Sequence, residues 1–240
     1  MKRFICVVFG LVFSASVFSQ VEQNSLTISS PGFSPTEGGS GCQIFNDQSA
    51  PAGGFLGFNE GANHAILFDP TGSDDPGDPG CGSGSFDDGD FRITQVGFLL
   101  ADGTAFGSPN GETGNGTLDY AVSIHPLAVP GDPTAGPGPA IALEEQTLVM
   151  DASGTYDVVI PIEASVDAPF FVAWTPIDFS PDNEVVSTLW DSVARPVGRQ
   201  FINNNDGGGF VDQTNFLING QNGWVFASVS GDFIPPLPEA

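Results

Sequence analysis

Lysine occurs once in these 240 residues, at Lys2, and arginine four times, against 29 aspartates and glutamates, which leaves a formal net charge of −24. A field of that sign repels phosphate, so nucleic acid and anionic membrane surfaces are poor partners, and neither is expected. Cysteine is nearly as scarce, at three residues, and no CxxC spacing occurs, which argues against a thiolate zinc site. No GxSxG elbow accompanies the two histidines, His64 and His125. Each reads as a strand-end histidine bonded to backbone, and Ser-His-Asp hydrolysis is not expected. Helical patterning is missing too: no window of a dozen residues has apolar positions at three and four spacing without glycine or proline. No fixed-period repeat is present, which excludes a propeller or solenoid.

What is present begins with "MKRFICVVFGLVFSASVFS" (1–19), two basic residues followed by a short apolar run and small residues. This is the layout of a secretory signal peptide, too short to be a good membrane span. Cleavage after Ser19 is expected to leave one exported domain, residues 20–240, extracellular or periplasmic, without a membrane span. Cys6 departs with the signal, and Cys42 and Cys81 remain. An even pair in an oxidising compartment reads as one disulfide. Charge and glycine content do not imply disorder here, because 40% of residues are hydrophobic and 21 are phenylalanine.

Short apolar or alternating runs recur between glycine, proline, asparagine and aspartate. They predict about twelve strands: 25–29, 54–58, 64–68, 91–101, 117–125, 146–150, 154–162, 170–174, 185–190, 199–203, 214–218 and 223–229. The expected fold class is all-β, an antiparallel β-sandwich of jelly-roll type. In "GTYDVVIPI" the alternation puts Tyr156, Val158 and Ile160 on one face, whereas "FFVAW" is apolar on both and reads as central. The proline-rich stretch 125–143 reads as a long crossover loop.

Three loops are dense enough in oxygen ligands to suggest calcium. They are Asp87, Asp88 and Asp90 in "FDDGD", then Asp178, Asp182, Asn183 and Glu184 in "DFSPDNE", and finally "NNNDGGGFVDQ" (203–213). None fits an EF-hand, and turn chemistry alone also explains such residues. The 178–184 loop is the best placed, since it follows the central-looking "FFVAW". Trp174 and Trp190 are the candidate aromatic platforms for a sugar ring, with core packing as the competing reading for Trp174. Adjacent Glu144 and Glu145 would point to opposite sides of a strand, and the ExDxxE strand of laminarinase-like enzymes is absent.

From about residue 91 to 233, the order "FRITQVGFLLADGT", "VDAPFFVAWTPIDFSPDNEVVS", "RQFINNNDGGGFVD" and "NGWVFASVSGDF" resembles secreted bacterial jelly-roll-like β-sandwich accessory domains. The resemblance implies a non-catalytic module of an exported system and carries over no functional residue. The expected function is therefore a secreted binding or surface-structural protein, with a glycan or cell-surface component as partner and calcium as the candidate ion. Two alternatives stand beside it: an exported polysaccharide-active hydrolase or lyase using acids such as Asp178 and Asp182, and a self-assembling envelope or matrix subunit.

Overall fold

The computed structural model describes residues 42–46, 60–72, 81, 84–102, 116–151, 154–180, 186–188, 196–203, 208–212, 225 and 227–234. The expected strands at 25–29, 54–58 and 214–218 lie outside them, as do the signal segment and Trp190. The described chain is all-β, with antiparallel sheets and a single 3-10 turn at Phe86–Asp88. Its strands are β1 (Cys42–Phe45), β2 (Asn63–Phe68), β3 (Asp90–Asp102), β4 (Gly116–Val129), β5 (Asp132–Pro137) and β6 (Ala142–Met150). They continue with β7 (Thr155–Val166), β8 (Phe170–Ser180), β9 (Val186–Thr188), β10 (Gln200–Asn203), β11 (Val211–Asp212) and β12 (Ala227–Ile234).

One sheet has the order β1-β12-β3-β7, with β9 also on β3. The other runs β11-β10-β2-β8-β4-β5, with β6 also on β4. Period-two patterning explains why the sheets meet face to face. Along β7, Tyr156, Val158, Ile160 and Ile162 are buried while Asp157, Val159, Pro161 and Glu163 are exposed. Facing them in the main core are Ile66, Phe68, Leu118, Val122, Ile124, Phe170, Val172 and Trp174 of the second sheet. Two polar groups at this core are bonded: His64 Nδ1 lies 3.0 Å from Thr188 Oγ1, and the Tyr156 hydroxyl donates to Asp102 Oδ2 at 2.5 Å.

"FFVAW" is apolar throughout because β8 separates two cores. Phe170, Val172 and Trp174 face the main one, whereas Phe171 and Ala173 join Ala65, Leu67, Leu127 and Phe201 in a smaller cluster on the sheet's other side. The cover over this second cluster corrects an expectation. Residues 125–143 are not a crossover loop: β4 runs on to Val129, turns, and returns as β5. Pro130 and Gly131 occupy the turn, and Gly131 has φ +75°, the sign that the third position of a type II turn requires. Pro133 and Pro137 are tolerated because β5, among the described residues, pairs on one side only, with β4. Gly136 lets the hairpin approach closely, since a Cβ there would sit 3.0 Å from the Phe201 ring.

Cys42 and Cys81 form a disulfide, with Cα atoms 5.3 Å apart. On a chain-entropy view, closing a loop of this size contributes about 4 kcal/mol. Around it, Asp69 Oδ1 accepts from Thr71 N and Oγ1 at 2.9 and 2.7 Å, and Cys81 N donates to the Pro70 carbonyl. Phe86 then packs edge-on against Phe233, which fastens the chain to β12 just before β3 begins.

Candidate functional site: the outer face of the seven-stranded sheet

Residues opposite one another on antiparallel neighbours share a face, so the register gives the composition of the sheet's outer surface row by row. In the row nearest the β4–β5 hairpin, Leu67 pairs with Phe171 and Phe171 with His125. Next come Ala65, Ala173 and Ser123, with Leu143 of β6 beside Ser123. Thr175, Ala121 and Glu145 follow, and Thr175 Oγ1 is hydrogen-bonded to Asn63 Oδ1. Beyond a bulge at Ile177, Asp178 stands opposite Asp119, and Asp119 opposite Thr147. In the first two rows the residues of β2, β4 and β8 are buried, whereas Leu143 at the β6 edge and Asp119, Asp178, Glu145 and Thr147 are all exposed.

Directly opposed carboxylates destabilise a sheet pair, so the fold gains nothing from setting Asp119 against Asp178. Thr147 offsets part of that repulsion by donating its hydroxyl to Asp119 Oδ1 at 2.6 Å. The result is an open polar surface of carboxylates, hydroxyls and an amide. Glu60 extends it at the edge, where its Oε1 accepts from Phe179 N at 3.4 Å.

Where the covered rows begin, the outer face holds a second polar group. His125 Nδ1 lies 2.8 Å from the Gly138 carbonyl oxygen, and its Nε2 lies 2.8 Å from Ser123 Oγ. A carbonyl can only accept, so the proton sits on Nδ1 and Nε2 accepts from the serine hydroxyl. Desolvation lowers the imidazole pKa below its ordinary value, and the Gly138 bond works in the opposite direction. The connectivity is that of a nucleophile and its base, but Ser123 and His125 are only 6% and 8% exposed. Phe210 closes over His125 edge-on at 6.0 Å. This histidine is thus bonded to backbone as its sequence context suggests, with a serine partner that the context does not reveal.

Of the candidate ligands in 178–184, Asp178 lies on the open face, while Asp182, Asn183 and Glu184 lie outside the described residues. Asp87, Asp88 and Asp90 belong to a different part of the molecule, beside the start of β3. Asp87 is in the 3-10 turn, where its backbone N–H donates to Ser85 Oγ at 3.2 Å, and Asp90 opens β3 with its side chain exposed. Nothing is described of the Asp88 side chain. Among the described residues no three histidine, cysteine, aspartate or glutamate side chains converge to hold a metal ion. Trp174 is corrected as a sugar platform: it is 0% exposed, paired with His64 and Val122 inside the main core, so no ring can stack on its face.

Asp119 and Thr147 are the residues that sequence reasoning passed over. "TLDYAVSIH" already places Asp119, Ala121, Ser123 and His125 on one strand face, but which residues stand beside them depends on register. Comparison with protein-family models, with curated proteins and with solved structures finds no match for the chain.

Proposed function

We propose that the protein is a secreted, non-catalytic binding module on a jelly-roll-like sandwich, and that its ligand surface is the open face carrying Asp119, Asp178, Glu145, Thr147, Thr175 and Asn63. One observation carries the reading: two carboxylates are set directly opposite each other on an exposed sheet surface, where they cost stability. Carboxylate and amide oxygens accept hydrogen bonds from hydroxyl groups, and threonine hydroxyls both donate and accept. A surface with these groups and no arginine among its described residues suits a neutral polyol, such as a cell-surface or matrix glycan, rather than a sulfated or uronic polymer. We assign no metal to this face.

A glycan array on the purified protein tests the proposal. Retention of neutral glycans, lost in an Asp119→Asn/Asp178→Asn variant that melts normally, supports it; no retention of any neutral glycan sinks it.

A second reading, polysaccharide hydrolysis, draws on the same pair. Cβ atoms of opposed residues lie about 5 Å apart, and two carboxyl groups at about that spacing can serve as acid and nucleophile of a retaining glycosidase. Release of reducing ends, abolished by either single amide substitution, would favour this reading over binding alone.

A further inference from the structure

The edge of the same sheet carries a separate inference. Among the described residues, β6 pairs only with β4, so its other side presents unpaired backbone groups along nine residues. Such an edge is a template for another strand unless it is blocked. Val149 and Leu143 are among the most exposed large apolar side chains described, at 70% and 55%, and both lie on this strand. Between them Glu144 and Glu145 place two carboxylates on the edge, which would repel a strand that set acids against acids.

We infer that a second copy of this chain pairs with β6 through an antiparallel two-fold contact centred on Gln146. The sequence "ALEEQTLVM" selects that register. It is the arrangement in which all nine residues overlap, Ala142 opposite Met150 at each end. In it, Leu143 of each copy faces Val149 of the other, Glu145 faces Thr147, and Glu144 faces Leu148. No carboxylate stands opposite a carboxylate. Centring on Glu145 instead sets Glu145 against itself, and centring on Thr147 sets Leu143 against Asp151. A self-complementary patch of this kind is what a two-fold interface requires, and it extends each seven-stranded sheet into its neighbour by strand addition.

The chain's charge of −24 opposes the contact at long range, so pairing strengthens as salt screens it. Sedimentation of the purified protein over a concentration series at low and physiological salt reads the equilibrium directly. The expected result is a monomer–dimer equilibrium whose dimer fraction rises with salt. Val149→Glu raises the dimer dissociation constant by about tenfold, since two cross-strand pairs are lost per dimer. Adding Leu143→Lys to that variant restores pairing, because each new lysine faces a new carboxylate of the other copy. Within one chain positions 143 and 149 are too far apart to meet, so the rescue cannot arise from the monomer. Gln146→Cys gives a disulfide-linked dimer in air, whereas Glu144→Cys and Leu148→Cys do not. A monomer at every concentration and salt overturns the inference. So does a dimer that Val149→Glu leaves unchanged, or cross-linking of equal yield at 144, 146 and 148.

Discussion

At the hairpin end of the seven-stranded sheet, the outward residues of β2, β4 and β8 are Leu67, Leu127 and Phe171; further along the same strands they are Asn63, Asp119 and Asp178. The first group is roofed by β5, with Phe201 packed edge-on against Phe171 at a centroid distance of 5.4 Å. Among the described residues the second has no such roof, and its acids are exposed. One strand set thus makes a small core at one end and a polar surface at the other. Burial at the first end therefore rests on the hairpin, whose turn is made by Pro130 and Gly131 and whose Gly136 lies against Phe201.

The largest way to break this contrast is to hollow the covered end. Phe171→Ala should lower unfolding free energy by about 3–5 kcal/mol in urea titration, as for other buried aromatics. An effect under about 1 kcal/mol would mean that the roof contributes little.

Next in size is the polar group at the boundary. His125→Ala leaves the Gly138 carbonyl and the Ser123 hydroxyl without their imidazole partner, a cost of about 1–3 kcal/mol. The same histidine gives the covered end a pH signature. Its pKa is lowered in the folded state from an ordinary 6.5. The unfolded chain therefore binds the proton more readily. The resulting stabilisation is complete above the unfolded value and declines as pH falls from there through the folded value. Melting temperatures measured from pH 8 downward should show that loss in the native chain, and a smaller one in His125→Ala.

At the open end stability effects are smallest. Asp119→Asn should leave unfolding free energy within about 0.5 kcal/mol of native or raise it slightly, because an opposed like-charge pair is relieved. A large destabilisation would move Asp119 from the binding surface to the structural framework.

How much of this was legible in the sequence depends on the range of the interaction responsible. All-β architecture and the Cys42–Cys81 disulfide were readable, because strand alternation and cysteine parity are properties of short segments or of composition. The double-sided burial of "FFVAW" was readable as central; that it separates two cores was not, because the second core depends on the hairpin folding back. That hairpin was itself hidden among prolines, although Pro130–Gly131 is a local turn signal. Trp174 sits in an apolar run that fits a core position as well as a platform, and only the strand's orientation decides between them. The Asp119–Asp178 pair joins residues 59 positions apart through strand register, which no local pattern encodes.

The most direct measurement is isothermal titration of a neutral glycan retained on the array into the native protein and into Asp119→Asn/Asp178→Asn. The expected result is heat of binding for the native chain, loss of at least about tenfold in affinity for the variant, and coincident melting curves for the two. Equal affinity in both proteins would contradict the assignment of the open face as the ligand surface.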